Sequence, residues 1–293
     1  MPTLRIVSIA ALAFALASPS PGQFGDLVRK AQEAKAKKDQ ADALAAKAQQ
    51  AKDIYTPWSP QQEQQVGDAT AAKVISIFGL YENPDMVKYV NLVGATVAQQ
   101  ATRPVPYRFG ILDTEVITAI SLPGGYIFIT RGALANMHSE AELAGTLAHE
   151  VAHVDQRHLE KEIRSKSQNA FLKEQTAQYT SGQLLEVVKN SADQALTQSY
   201  SRDKESDADR LGLQFAARAG YEPDGLRLFL TFLASVPKTP ETSKQLNLWG
   251  STHPPFPERI ESLTHLETAY PATGQVLDAR FTAFINPAAF ARN

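Results

Sequence analysis

The stretch LAHEVAHVDQRH at residues 147–158 most constrains the fold, because it carries two histidines four positions apart, His149 and His153. Ser139 followed three residues later by Glu142 forms a capping box, which predicts that a helix begins there. Apolar residues then recur at helical spacing: Leu143, Leu147, Val151 and Val154. Residues four apart lie on one face of a helix, so both imidazoles project from the same side. Two neutral imidazoles presented in this way bind zinc well, and we therefore predict a metal-binding helix.

The same geometry gives two other residues of this stretch different roles. Glu150 lies between the two histidines, where its carboxylate can reach a metal-bound water without being a ligand itself. We therefore predict that Glu150 is the catalytic base. On a continuous helix, at about 100° per residue, His158 points roughly 140° away from His153, so we expect a structural or surface histidine. Incidental histidines on a surface helix are the alternative to the metal site as a whole.

A third ligand has to come from another part of the chain. The position six residues beyond the second histidine is Leu159, which excludes a third histidine at that spacing. Glu205 and Asp209 lie four apart on a second predicted helix, and Gly212 continues the same face. Glycine within a helix costs about 1 kcal/mol relative to alanine, so it indicates close backbone approach to a neighbouring helix. We assign Glu205 as the third zinc ligand and Asp209 as the acceptor of a hydrogen bond from His149, with a solvated acidic face as the alternative.

Composition excludes several classes of function. The 293-residue chain has no cysteine, which excludes disulfides, thiolate metal ligands and a cysteine nucleophile. Its formal net charge of -2 gives no reason to expect nucleic acid as a partner. Residues 1–17 combine Arg5, an apolar run and a small-residue site, which is typical of a secretory signal peptide. We therefore expect an exported, periplasmic protein, with peripheral membrane association left open and a short N-terminal membrane anchor as the alternative.

The remaining sequence divides into three parts by its residue pattern. Residues 18–54 are rich in alanine and lysine and predict an exposed helical arm. Residues 55–270 form the main domain, which we expect to be α+β and mostly helical, and residues 271–293 form a C-terminal tail without a clear period. Within the main domain, three runs rich in β-branched and aromatic residues predict a small antiparallel sheet beside the zinc helix. The last two runs are joined by a tight turn at 123–125.

Several segments occur in an order that resembles the gluzincin metalloproteases. LPGGYIFITRGAL precedes the zinc helix, YSRDKESDADRLG follows it, and STHPPFPERI lies further along the chain. The resemblance is to Ste24/HtpX-type peptidases, and within them to the exported bacterial branch of BepA- and LoiP-like proteins. It implies a zincin-like metalloprotease fold over residues 55–270, with one zinc ion per chain. It also implies that His149, His153 and Glu205 are the zinc ligands and that Glu150 is the base, in agreement with the spacing.

The resemblance implies further site features. The strand before the Pro-Gly-Gly turn is expected to be an active-site edge strand on which substrate pairs in extended form. This chain has Thr118-Ala119-Ile120 where the family usually has Asn-Ala-Phe, so the family's subsite preference is not carried over. His253, in a proline-flanked loop, and Arg259, at the start of the next helix, match family positions and are predicted to be catalytic. Either can stabilise an oxyanion, and a neutral His253 can instead occupy the open zinc position as a gate; structural capping of the last helix is the alternative.

These features together predict a zinc-dependent metalloendopeptidase that hydrolyses peptide bonds by metal-activated water. Export and the family resemblance point to degradation of misfolded or misassembled envelope proteins, with unfolded substrates and the envelope assembly machinery as partners. A non-proteolytic periplasmic chaperone or assembly factor with a structural zinc site is the main alternative, and a scaffold that docks through residues 26–54 is another. Glu150 argues against the chaperone, because a structural zinc site has no use for this glutamate.

Overall fold

The computed structural model describes residues 21–173, 200–237, 239–253, 256–286 and 290. The signal peptide predicted at residues 1–17 lies outside this part of the chain. The chain divides into two compact units, residues 1–52 and residues 53–293. Most of the first unit is helix α1, Pro21–Tyr55, whose described side chains are all exposed. This helix includes residues 21–54 of the segment 18–54, for which the sequence predicts a helical arm, and residues 18–20 lie outside the described part of the chain.

The second unit is mostly helical. Helix α2, Pro60–Phe78, begins with a capping box, in which the Ser59 side chain accepts a hydrogen bond from the Gln62 backbone and the Ser59 backbone donates one to the Gln62 side chain. The other described helices are α3 (Pro84–Ala98), α4 (Arg131–Ala135), α5 (Glu140–Asp155), α6 (His158–Lys173), α7 (Arg202–Arg218), α8 (Gly225–Ser235), α9 (Pro240–Thr252), α10 (Phe256–Glu267) and α11 (Asp278–Phe284). Among the helices described, none is long and apolar enough to cross a membrane. The predicted α+β, mostly helical fold class is confirmed.

A three-stranded sheet packs against helix α5 and has the strand order β1-β3-β2. The strands are β1 (Arg108–Leu112), β2 (Ala119–Leu122) and β3 (Tyr126–Thr130). Strands β2 and β3 are antiparallel across the turn at Pro123–Gly125, as predicted, whereas β1 runs parallel to β3. The sheet is therefore mixed, which corrects the expectation of a wholly antiparallel sheet. The physical reason is that β3 pairs between β1 and β2, so the first two strands are not neighbours.

Helix α5 lies at the centre of the main hydrophobic core. All of its residues from Glu140 to Asp155 are buried, and it packs against α3, α7, α8 and the sheet. The approach of α7 is very close, since a Cβ atom on Gly212 would lie 2.8 Å from the Cα atom of His149. A Cβ atom on Gly225, at the start of α8, would lie 2.0 Å from the Ala141 carbonyl oxygen. The polar side chains of α5 therefore face protein groups, which fix their directions.

Candidate metal centre

Helix α5 directs the two predicted ligand histidines at one point. The Nε2 atoms of His149 and His153 are 3.0 Å apart, and their rings are inclined at 76°. Both side chains are buried, and Glu150 between them is only 1% exposed. The helix begins as the capping box predicts, with the Ser139 side chain accepting a hydrogen bond from the Glu142 backbone. Helical spacing is thus sufficient to bring the two imidazoles together.

Helix α7 brings Glu205 to the same point. Its carboxylate oxygens lie 3.7 Å from Nε2 of His149 and 3.5 Å from Nε2 of His153. Gly212, further along α7, touches the backbone of His149, and this confirms that the glycine marks a close helix approach. The structure therefore brings together the three residues that the sequence predicts to bind zinc.

Asp209 contacts the ligand His149, and Arg259 contacts both Asp209 and the ligand Glu205. Oδ1 of Asp209 lies 3.0 Å from Nδ1 of His149, the ring nitrogen that faces away from the other ligands. Arg259, on α10, binds Asp209 twice, with Nε 2.9 Å from Oδ2 and Nη2 2.6 Å from Oδ1. Its Nη1 atom lies 3.5 Å from a carboxylate oxygen of Glu205. Burial raises the pKa of Asp209, but the charges of Arg259 and His149 and the hydrogen bonds from both residues together outweigh burial and hold that pKa well below its ordinary value.

His253, which follows α9, is the fourth member of the buried group. Its Nε2 atom lies 3.7 Å from a carboxylate oxygen of Glu150 and 3.9 Å from one of Glu205. One ligand atom from each of His149, His153, Glu205 and His253 lies within 4.8 Å of all the others. His253 therefore points into the site, which is the geometry that the gate hypothesis requires.

The donor set fits a zinc ion. Imidazole nitrogens and one carboxylate are the usual ligands of catalytic zinc. Both carboxylate oxygens of Glu205 and one of Glu150 are buried and form no hydrogen bond with any residue that the structure describes. Burying such oxygens without a partner is costly, and a cation bound by Glu205 compensates the cost for the Glu205 carboxylate. His149, His153 and Glu205 therefore meet the requirements of a three-ligand zinc site.

Burial sets the protonation states in the group. It raises the pKa of Glu205 to about 7 and lowers the pKa of His153 well below its ordinary value. Burial also raises the pKa of Glu150, but the imidazole groups of His253 and His149 outweigh it and hold that pKa below its ordinary value. A neutral His153 offers a lone pair to a metal, and an ionised Glu150 can accept a proton.

Two residues beside the ligands have positions that the sequence did not predict. The ring of Tyr200 stacks on His153, with centroids 4.2 Å apart, and the position of Tyr200 just before α7 is a signal that could have found it. His158 is buried, with Nδ1 3.0 Å from Nδ1 of His153, and burial lowers its pKa to about 4. The expectation that His158 points away from His153 is therefore wrong, because the continuous helix assumed for it does not exist. Helix α5 ends at Asp155 and α6 begins at His158 itself.

A buried His-His-Glu group on two packed helices, with a glutamate between the histidines, is typical of the zincin class of metallopeptidases. The chain belongs to peptidase family M48, which it matches over residues 84–267. The family resemblance predicted from the sequence motifs is therefore confirmed.

Several named proteins are similar to this chain. The beta-barrel assembly-enhancing protease of Escherichia coli O157:H7 is 27% identical over 206 residues, which is 66% of this chain and 41% of that protein. The putative beta-barrel assembly-enhancing protease of Vibrio cholerae is 28% identical over 223 residues, which is 72% of this chain and 45% of that protein. The mitochondrial metalloendopeptidase OMA1 of Schizosaccharomyces pombe is 31% identical over 170 residues, which is 57% of this chain and 48% of that protein. The matched part of this chain thus spans less than half the length of each relative.

Proposed function

We propose that this protein is a zinc metalloendopeptidase. The observation that carries the proposal is the buried group of His149, His153 and Glu205, with a carboxylate oxygen of the buried Glu150 3.7 Å from Nε2 of His253, which belongs to the same cluster. Membership of peptidase family M48 and similarity to proteins named as proteases support it independently. A structural zinc site has no use for a glutamate placed as Glu150 is.

The proposed chemistry is hydrolysis of a peptide bond. His149, His153 and Glu205 hold one zinc ion per chain. When bound, zinc polarises a carbonyl group and lowers the pKa of water from 15.7 to about 7. Glu150 accepts the proton of the attacking water and delivers it to the leaving amine, which is general base and then general acid catalysis.

Arg259 is proposed to act through the ligands. Its guanidinium group contacts Asp209 at two atoms and lies beside Glu205. These contacts favour a positioning role over the direct contact with an oxyanion that the sequence suggests. Asp209 in turn fixes the direction of the His149 ring, as carboxylates commonly do for histidine ligands of zinc.

Strand β2 is proposed to bind the substrate. It forms one edge of the sheet and packs against α5. The lining of a cavity beside the strand includes Ser121, Leu122, His153 and Tyr200. A peptide that adds to a sheet edge gains hydrogen bonds through its backbone, whatever its sequence, and places alternate side chains in pockets. This mode favours extended, unfolded protein segments as substrates.

His253 is proposed to gate the site. Its side chain is 4% exposed and its Nε2 atom lies among the ligand atoms, where it can occupy a fourth position on a metal. Substrate binding then requires the segment that carries His253 to move away. The alternative, that His253 stabilises an oxyanion, requires it to stay.

The physiological substrates are proposed to be misfolded or misassembled envelope proteins. Two relatives are named for enhancing β-barrel assembly, which makes the envelope assembly machinery the proposed partner. The signal peptide predicted at residues 1–17 supports a periplasmic location, and peripheral membrane contact is compatible with this role.

The activity is tested with unfolded casein, with and without a chelator. We expect cleavage by the wild type, loss of cleavage in the chelator, and recovery when zinc is restored. Glu150→Gln keeps the metal ligands, so it should bind zinc, measured by elemental analysis, and cut about 10²- to 10⁴-fold more slowly. Glu261→Gln, an exposed site on α10, is the matched control and should cut normally. Undiminished cleavage by Glu150→Gln would rule out its role as the base.

Substitution of His253 separates the two proposed roles of this residue. A gate predicts that His253→Ala cuts casein faster than the wild type, because the closed state is lost. Oxyanion stabilisation predicts that the same variant cuts about 10²- to 10³-fold more slowly. Zinc binding without cleavage by both proteins, together with suppression of casein aggregation, would favour the chaperone instead.

A further inference from the structure

The two ligand histidines are supported by different chemistry. His149 directs its rear nitrogen, Nδ1, at the carboxylate of Asp209. His153 directs its Nδ1 at another imidazole, since Nδ1 of His158 lies 3.0 Å away. The two rings meet nearly edge to face, at 77°, and His158 is 3% exposed. His153 therefore has a neighbour in the position where a zinc-bound histidine normally has a carboxylate or carbonyl partner.

The backbone places His158 there by a specific break between helices. Helix α5 ends at Asp155, and Arg157 has φ of 53°, a left-handed conformation that non-glycine residues rarely adopt. Arg157 is held by contacts of its Nη1 atom with the Trp58 carbonyl oxygen and with a carboxylate oxygen of Glu160, each at 3.2 Å. The chain thus turns back, and His158 opens helix α6 with its ring against His153. A strained residue is kept here at a position that sets the direction of one side chain.

A metal bound to His153 determines which ring nitrogen of His153 and which of His158 carries a proton. The Nε2 atom of His153 faces the other ligands, so a neutral ring that binds metal through Nε2 carries its proton on Nδ1. This N–H then donates to Nδ1 of His158, which as acceptor carries its own proton on Nε2. The Nε2 atom of His158 lies 3.8 Å from a carboxylate oxygen of Asp207, which favours that tautomer.

We propose that His158 is a positioning residue for the ligand His153. It accepts a hydrogen bond that fixes the tautomer and the ring orientation of His153 for metal binding. The proposal rests on the metal site described above and extends it by one residue. It differs from a purely structural role, in which the buried ring of His158 only fills space.

Two substitutions of nearly equal shape distinguish these roles. The Oδ1 atom of asparagine occupies the position of Nδ1 in histidine, so His158→Asn keeps an acceptor. In His158→Leu, the leucine side chain has a volume similar to that of histidine but no hydrogen-bond acceptor. We expect His158→Leu to weaken zinc binding about 10- to 100-fold, and His158→Asn to stay within about threefold of the wild type. Zinc affinity is measured by competition with a chromophoric chelator, and the visible absorption of the Co²⁺-loaded protein reports the ligand geometry.

The outcomes are separable. A changed Co²⁺ spectrum in His158→Leu, with a wild-type spectrum in His158→Asn, would support the proposal. Equal zinc affinities and spectra in all three proteins would overturn it, and so would equal losses in both variants, which would indicate packing alone. His265→Leu, at an exposed histidine on α10, is the control and should bind as the wild type does. If the wild type bound neither ion, the proposed metal site itself would fail, and the inference with it.

Discussion

At the scale of single residues, the site depends on a buried ion pair behind the ligand His149. Asp209 and Arg259 are 1% and 4% exposed, so water solvates neither charge. Their two parallel contacts give the fork-to-carboxylate geometry that makes arginine pairs strong. A buried pair of this kind is stabilising only while both partners remain, because a single buried charge has no compensation. The orientation of His149 therefore depends on a residue fifty positions after Asp209.

Replacing Arg259 by leucine should reveal this dependence. We expect Arg259→Leu to lower the free energy of unfolding by about 3–5 kcal/mol, because Asp209 is left buried and unpaired. Urea denaturation of the metal-free protein at pH 7 measures the loss. The double variant Asp209→Asn with Arg259→Leu should recover part of it. Arg202→Leu, at an arginine with a side chain 75% exposed, is the control and should change stability by less than about 0.5 kcal/mol. Wild-type stability in Arg259→Leu would show that the pair contributes nothing.

The proximity of four site residues could be predicted from the sequence, because helical spacing puts each pair on one face of its helix and Gly212 indicates that the two helices approach closely. These residues are His149, His153, Glu205 and Asp209. The contact of His158 with His153 could not be predicted in this way. It depends on the left-handed conformation of Arg157, which no residue pattern indicates, and on partners such as Trp58 that are distant in sequence. A single backbone angle thus decides whether the third histidine of the stretch faces solvent or the site.

At the scale of elements, the site depends on the contact between helices α5 and α7. Gly212 allows this contact, because a Cβ atom there would lie 2.8 Å from both the Cα and N atoms of His149. The obstructing atoms belong to the backbone of a buried helix, which cannot move aside as a flexible side chain can. The distance between Glu205 and the two histidines therefore depends on the absence of a side chain at Gly212.

Gly212→Ala should separate the two helices. The added methyl group is expected to cost about 1–3 kcal/mol of unfolding free energy, as overpacking of a core does, despite the better helix propensity of alanine. Because Glu205 moves with α7, zinc affinity should fall together with stability. Thermal unfolding and chelator competition measure the two effects. Arg218→Ala, at an exposed site on the same helix, should leave both unchanged. A Gly212→Ala variant that is more stable than the wild type, with unchanged zinc affinity, would contradict the tight contact.

The sheet shows which strand pairings can be predicted from local sequence patterns and which cannot. The β2–β3 hairpin could be predicted, because a Pro-Gly-Gly turn between two adjacent runs is a local signal. The parallel pairing of β1 with β3 could not, because it depends on which strand fills the space beside β3. The outer edge of β1 is also occupied, since Tyr81 donates a backbone hydrogen bond to Ile111 and Asp113 donates one to Gly79. The alternation of apolar residues along a strand does not indicate which strand it pairs with or in which direction.

At the scale of the whole molecule, Glu140 connects distant parts of the chain to the start of the metal-binding helix. The hydroxyl groups of Tyr89 and Tyr221 donate to its carboxylate at 2.7 and 2.8 Å, and Nε of Arg280 donates at 2.6 Å. Arg280 belongs to α11, in the segment for which the sequence predicts a tail, and Phe281 of the same helix lies in the main core. One carboxylate thus joins helix α3, the segment after α7 and the C-terminal segment.

This network should make stability depend on pH in a defined direction. Burial raises the pKa of Glu140, but hydrogen bonds from Arg280, Tyr89 and Tyr221 outweigh it and hold the pKa below its ordinary value of 4.5. A group with a lowered pKa in the folded state stabilises the fold above its unfolded pKa, and that contribution is lost as pH falls through the folded pKa. We therefore expect Glu140→Gln to lower the free energy of unfolding by about 2 kcal/mol at pH 7.

The deficit of Glu140→Gln should shrink as pH falls below about 4.5, because the wild-type carboxyl group becomes protonated and then resembles the amide. Urea denaturation of both proteins at a series of pH values from 7 to 3 measures the difference at each step. Glu261→Gln, an exposed site, is the control and should show little difference at any pH. A deficit that is constant or that grows towards low pH would mean that the charge of Glu140 is not what holds the three segments together, and that its shape alone does so.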